Sequence, residues 1–273
     1  MVLAVWPTEG YSSSWNAATF LQKSAGSNNQ RKFQNTIGLV FAGTINHTLE
    51  VTPMKIVLIE DQAMFRDLLK KICREHFHLA VVGEAADAAT GLELCRKQKP
   101  DMVLLDLNLP DRDGISMADE LLAMDPKIRI LALSSECDDY TLYRVLNSGM
   151  HGYVDKNRQS VDVLKQAIDE VIKGRVFFTE VVQQVRQRLR TEPRAFPKVL
   201  TEREQQLLAL LGGGLTNEEV ARELRLSRYT VQLHRRNIMS KLGLHRTPDL
   251  IRYAVNKGFS KLNSFRERPE DSP

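Results

Sequence analysis

Four apolar runs, each short enough to be one buried strand, end in residues that carry a charge or a hydroxyl. Lys55-Ile56-Val57-Leu58-Ile59 leads into Glu60-Asp61, and Met102-Val103-Leu104-Leu105 into Asp106-Leu107-Asn108. Ile128-Arg129-Ile130-Leu131-Ala132-Leu133 leads into Ser134-Ser135, and Gly152-Tyr153-Val154 into Asp155-Lys156. Near-continuous apolar runs of this length mark strands covered on both faces, as in a parallel sheet. In open α/β sheets, ligand sites gather beyond the carboxyl ends of the strands. The carboxylates of Glu60, Asp61 and Asp106, the Ser134 hydroxyl and the Lys156 ammonium are therefore expected to converge on one edge. Crowded carboxylates repel each other unless a cation offsets them, and hard oxygen ligands with room for water suit Mg²⁺. A metal beside a free carboxylate, a lysine and a hydroxyl can receive and stabilise a phosphoryl group.

The rest of residues 54–173 supports such a sheet. A further strand at 79–82 and amphipathic helices at 62–75, 87–98, 115–124, 139–148 and 161–173 complete five βα units. Alternation of this kind predicts a five-stranded, doubly wound parallel sheet of flavodoxin-like type. Residues 174–197 read as a linker with a connecting helix at 179–190, then an extended stretch because Pro193 and Pro197 oppose helix. Residues 198–261 are predicted all-helical. Thr201-Glu202-Arg203-Glu204 and Thr216-Asn217-Glu218-Glu219 each match a capping box, and Gly212-Gly213-Gly214 ends the first helix. Ser227 caps a helix over 228–242 that Gly243 closes, and Thr247-Pro248 opens a fourth. Residues 1–53 read as a disordered leader, or as sequence from upstream of the true start, with a small strand conceivable at 38–43. Residues 262–273 read as a disordered charged tail.

Charge divides the chain in the same way. Residues 54–173 carry 16 Lys/Arg against 21 Asp/Glu, whereas 174–273 carry 19 against 11. An acidic half joined to a basic half suggests a regulator tied to a nucleic-acid binder. The apolar runs fall short of the roughly 20 residues of a membrane span, so no membrane partner is expected. The three cysteines, Cys73, Cys95 and Cys137, are widely spaced, which fits reduced thiols and a cytoplasmic location. Cys137 stands near the proposed site but reads as a plain small residue rather than a redox centre.

Taken in order, Glu60-Asp61, Asp106-Leu107-Asn108-Leu109-Pro110-Asp111-Arg112-Asp113-Gly114, Ser134-Ser135 and Gly152-Tyr153-Val154-Asp155-Lys156 resemble the receiver domain of response regulators. The resemblance implies Asp106 as phospho-acceptor. It implies Mg²⁺ held by Asp61 and Asp106 directly, by Glu60 through water and by the backbone carbonyl of Asn108. Ser134 and Lys156 would contact the phosphoryl oxygens, and Tyr153 would repack when Ser134 moves. In this chain Glu60 replaces the commoner aspartate, and Asn157 follows Lys156 where many receivers have proline.

Leu200-Thr201-Glu202-Arg203-Glu204, Gly214-Leu215-Thr216-Asn217-Glu218-Glu219-Val220-Ala221 and the run from Thr230 to Leu242 are similar to the LuxR-type helix-turn-helix. Together the two resemblances point to the NarL/FixJ class. At about 100° per residue, Val231, His234, Ile238 and Leu242 share one face of the third helix and should pack inward. Tyr229, Gln232, Leu233, Arg236 and Ser240 share the opposite face, which would meet the major groove. Thr230, Arg235 and Lys241 complete the candidate DNA contacts.

The expected function is a two-component transcriptional regulator, not an enzyme. Its partners would be promoter DNA, a sensor histidine kinase, RNA polymerase and, once phosphorylated, a second copy. Before phosphorylation the receiver is expected to cover the recognition helix. One alternative is a Mg²⁺-dependent phosphohydrolase using Asp106, opposed by Asn108 standing where such enzymes usually need a second carboxylate. The other is a DNA-binding regulator that never uses phosphorylation.

Overall fold

The computed structural model describes residues 53–259. The readings at 1–52, including the strand at 38–43, and at 262–273 lie outside the described residues. Strands β1 (Lys55–Ile59), β2 (Ala80–Ala85), β3 (Met102–Asp106), β4 (Arg129–Ser134) and β5 (Gly152–Asp155) alternate with helices α1 (Ala63–Lys71), α2 (Ala88–Gln98), α3 (Gly114–Met124), α4 (Asp139–Asn147) and α5 (Val161–Ile172). β6 (Phe177–Phe178) follows, then α6 (Glu180–Thr191), α7 (Phe196–Val199), α8 (Glu202–Gly212), α9 (Asn217–Leu224), α10 (Arg228–Leu242) and α11 (Thr247–Asn256).

The sheet is parallel throughout, in the order β2-β1-β3-β4-β5-β6. It has six strands where the sequence predicts five. The extra one, β6, pairs Phe177 with Gly152 and Phe178 with Tyr153, so β5 supplies the ladder that a two-residue strand cannot form alone. β2 also runs beyond the expected 79–82, through Gly83 and Glu84. It is an edge strand, and Glu84 forms an ion pair with Lys70 at 2.6 Å. Val57, Ile59, Val103 and Leu105 face one helical layer, while Ile56, Leu58, Met102 and Leu104 face the other. That division is the alternation of a pleated strand between two covered faces.

Helix starts follow the local chemistry. Asp87, Asp113, Asp138 and Ser160 cap α2, α3, α4 and α5, each accepting a backbone amide of the first turn. Both capping boxes form, at Thr201/Glu204 and Thr216/Glu219. The stretch before α8 is not wholly extended, because Pro197 sits in the first turn of α7, where its missing amide costs no helical bond. Buried Cys73 and Cys95 have thiols pushed up to about 12 by desolvation, as inert core residues do. Among the described residues, no helix is long and apolar enough to cross a membrane.

Candidate functional site

The end of β1 brings Glu60 and Asp61 beside Asp106 at the end of β3. One oxygen from each of these carboxylates lies within 4.8 Å of the others. Glu60 and Asp106 are buried and Asp61 is exposed, so the group opens to solvent on one side. Lys156, one residue beyond β5, reaches in from the neighbouring strand end. Its Nζ stands 2.6 Å from Asp106 Oδ2 and 2.9 Å from Glu60 Oε1. Glu60 Oε2 lies 2.7 Å from the same nitrogen, so both Glu60 oxygens and Asp106 Oδ2 share one ammonium. Asp106 Oδ1 accepts the Asn108 amide at 2.9 Å.

One ammonium against these carboxylates leaves the pocket short of positive charge. Burial, then the neighbouring Asp106 charge, raises the Glu60 carboxyl to about 7, and Lys156 offsets only part of this. A carboxyl forced toward neutrality, crowded with two others around one shared ammonium, is what a site for one hard divalent cation shows. The donor set therefore fits such an ion.

Ser134 is fully buried, and its hydroxyl accepts the Glu136 amide at 3.0 Å. Tyr153 is likewise buried, and its phenol donates to the Glu136 carbonyl. The β4–α4 loop thus ties Ser134 and Tyr153 together through Glu136, which sequence reasoning missed. It also missed Phe65, whose ring lies 5.0 Å from Lys156 Nζ, and Arg66, which donates to the Glu60 carbonyl. Phe65 carries no local signal, since it meets Lys156 only across the fold, whereas Arg66 acts locally, six residues on from Glu60. Gly114 has a visible reason: a Cβ there would lie 2.5 Å from the Asp106 carbonyl oxygen. Gly114→Ala is therefore expected to lower the thermal midpoint and displace Asp106, measurable together as a lost Tm and slowed phosphate uptake.

In the second domain, α9, a turn at Arg225-Leu226-Ser227 and α10 form the two-helix unit. Val231 and Ile238 are fully buried, while His234 and Leu242 are half-buried on the same side. On the opposite side Tyr229 is 69% exposed and Leu233 41%, with Arg236 and Ser240 also exposed and Gln232 half-buried. The expectation that the receiver covers this helix is corrected: the receiver packs elsewhere and the outer face stays open. Thr230 shares a 2.8 Å hydroxyl contact with the cap residue Ser227. Arg235 donates to Asn217 Oδ1 at 3.1 Å and Thr247 Oγ1 at 2.6 Å, bracing α10 against its neighbours. Lys241 differs most from the reading as a DNA contact, because its ammonium lies 2.6 Å from Glu204 Oε2 and ties α10 to the capping box of α8.

Comparison with known proteins agrees with this architecture. The profile of the response regulator receiver domain matches residues 56–169, and that of bacterial regulatory proteins of the luxR family matches residues 198–254. The transcriptional regulatory protein MctR of Rhizobium johnstonii is 33% identical over 205 residues, spanning 75% of this chain and 94% of its own. The response regulator protein VraR of Staphylococcus saprophyticus is 29% identical over 202 residues, spanning 74% and 96%. RcsB of Salmonella enterica serovar Typhimurium, solved on promoter P1flhDC with the phosphomimetic BeF₃⁻, shares the fold at TM-score 0.54 and 22% identity, across 76% of this chain and 100% of that one. Fold and site together define a receiver domain joined to a LuxR-type helix-turn-helix domain. The chain belongs to the two-component response regulators.

Proposed function

We propose that this protein is a transcription factor switched by phosphorylation of Asp106, with a sensor histidine kinase as donor. The observation that carries the reading is the buried Lys156 ammonium held between Asp106 and Glu60 at a strand edge open to solvent through Asp61. An Asp106 carboxylate oxygen attacks phosphorus, an O–P bond forms, and the N–P bond of the donor phosphohistidine breaks with its electron pair leaving on the imidazole. Lys156 then pairs with a phosphoryl oxygen, since it already stands within 2.6 Å of the acceptor carboxylate. Ser134 turns its hydroxyl from the Glu136 amide to the phosphoryl group, and Tyr153 repacks with the loop. Glu60, Asp61, Asp106 and the Asn108 carbonyl would hold Mg²⁺, which when bound supplies neutralisation of the charge on the transferring group. Asn108 offers no acid or base for turnover, so the acyl phosphate persists as a signal rather than a step in hydrolysis.

The helix-turn-helix domain reads promoter DNA through the outer face of α10, in the cytoplasm. Phosphorylation favours a two-fold dimer on paired half-sites, and bound dimers engage RNA polymerase. Genome-wide mapping of bound DNA with wild-type protein and with Asp106→Asn tests the whole reading: occupancy that ignores Asp106 favours the phosphorylation-independent alternative.

Base reading has its own test. Leu233 suits a thymine methyl, Gln232 an adenine, and Arg236 a guanine or a phosphate. Alanine at a base-reading position should cost about 1–3 kcal/mol on the preferred site and relax preference at one base pair, as selection from random DNA would reveal. Lys241→Ala behaves differently, because its partner is Glu204. It should lower the stability of the domain, read by thermal melting, and leave the salt dependence of DNA binding unchanged.

A further inference from the structure

The receiver carries a cavity at the edge opposite the acidic pocket, where α2 and α3 end and β3 and β4 begin. It measures about 350 Å³, at the small end of the roughly 300–1,000 Å³ usual for ligand sites. Its floor is apolar: Leu121 and Ile128 are buried, and Met124, 41% exposed, stands at the mouth. Buried Pro100 and Cys95 complete the inner wall, and burial keeps the Cys95 thiol protonated. The loops around it are fixed. Asp101 Oδ2 accepts the Lys55 amide at 2.7 Å, and the Asp101 amide donates to the Lys55 carbonyl at 2.9 Å. Asp125 Oδ1 accepts the Lys127 amide at 2.9 Å, and the Ile128 amide donates to the Asp125 carbonyl at 3.1 Å. The cavity is therefore preformed, as small-molecule sites usually are.

The rim is cationic. Arg96 pairs with Glu120 at 2.8 Å, but the same carboxylate also pairs with Arg112 at 2.9 Å, so one acid answers two guanidiniums. Asp125 is the one acid in the lining, and it already accepts the Lys127 amide. Lys99 has no ion-pair partner among the described residues. It also stands where a lysine is not the expected residue. Lys99 ends α2 in the left-handed region, at φ +45°, with its amide donated to the Cys95 carbonyl. Glycine takes that conformation without the steric cost of a Cβ and is the usual residue there. Basic side chains answer the partial negative charge of a helix end, but Arg96 and Lys97 in the last turn already do so. What is left to Lys99 is its place: an ammonium at the lip of an apolar cavity.

We propose that this cavity binds a small monocarboxylate with an apolar body, the body against Leu121, Met124 and Ile128 and the carboxylate at Lys99. A neutral apolar ligand would leave the ammonium without a partner. A second carboxylate on the ligand would be driven against the apolar floor, where a charge finds nothing to replace its water. Binding involves no covalent step. A ligand there touches none of Glu60, Asp61, Asp106, Ser134 or Lys156, so the site stands apart from the proposed phosphorylation.

Octanoate and 1-octanol, which share an alkyl chain and differ in charge, test this on the full-length chain. Nuclear magnetic resonance of isotope-labelled methionine methyls gives a local reading, with the Met124 signal identified by its loss in Met124→Leu. Octanoate should shift that signal saturably and bind about fivefold more tightly than 1-octanol, the gain one partly exposed charge pair allows. Added salt should shrink the preference. Lys99→Met keeps the apolar stem and removes the ammonium, so octanoate should fall to the level of 1-octanol while 1-octanol is unchanged. Lys99→Gly relieves the left-handed backbone, so it should lose the same preference yet melt no lower than wild type. A Met124 signal that moves with neither probe, or no more than that of Met239 in the second domain, overturns the site. Equal affinity of wild type for the two probes overturns its choice of an anion. A preference for octanoate that survives Lys99→Met overturns the role of Lys99.

Discussion

Asp106→Asn is expected to abolish uptake of phosphate from acetyl phosphate in the presence of Mg²⁺, where wild type gains one acid-stable, base-labile phosphoryl group by intact mass. The amide keeps the size of the side chain, and its oxygen can still accept the Asn108 amide that Asp106 accepts at 2.9 Å. What it loses is the anionic nucleophile, and with it the charge that pairs with Lys156. Chelation of Mg²⁺ should stop labelling of wild type as completely, although every residue of the pocket is intact. Labelling of Asp106→Asn at the wild-type level would move the acceptor elsewhere. Glu60 and Asp61 are the carboxylates that share the pocket and would be tested next.

How far the site was legible depends on whether its causes are local. Apolar runs ending in Glu60-Asp61, Asp106, Ser134 and Asp155-Lys156 are local signals, because a parallel sheet puts strand ends on one edge whatever the details of packing. The caps of α8, α9 and α10 were legible for the same reason, as each is a hydroxyl meeting an amide three residues on. The inward face of α10 followed from helical period alone. β6 was not legible, since Phe177-Phe178 becomes a strand only through the ladder that β5 offers. The full length of β2 was hidden by Gly83 and Glu84, which break the apolar pattern but suit a sheet edge. Lys241 looked like one more basic residue on a basic helix, and only the fold brings Glu204, 37 positions away, to its ammonium.

The pocket also shows why position matters more than charge count. Arg144 and Asp113 form a half-buried pair, joined by bonds of 3.2 and 2.6 Å. Burial works against the Asp113 carboxylate, yet Arg144 and the Ser116 donors outweigh it and hold its pKa below the ordinary value. That pair is matched one to one and reads as structural bracing between α3 and α4. At the acceptor pocket one lysine serves Glu60 and Asp106 together, so Glu60 shifts the other way. A deficit of positive charge, rather than burial alone, separates a site that awaits a ligand from one that is complete.

Lys156→Met follows from that deficit and is expected to be among the most damaging single changes to stability. Methionine keeps an unbranched chain of similar length, so packing against Phe65 should largely survive while the ammonium is lost. Removing one partner of a buried ion pair leaves the other uncompensated, at a cost of about 3–5 kcal/mol. The sign of the pH dependence follows from Glu60. Its folded pKa of about 7 stands above the ordinary 4.5, so the folded state binds the proton more tightly than the unfolded state. Stability from this group is therefore greatest below 4.5 and is lost as pH rises toward 7. In the variant the lowering influence of Lys156 is gone, so the loss deepens and extends to higher pH. Denaturant unfolding should show a much larger deficit at about pH 8 than at about pH 5, and Mg²⁺ should recover part of it at the higher pH by binding only the folded state. Equal deficits at both pH values would mean that Lys156 stabilises by packing, and the electrostatic account of the pocket would fail with it.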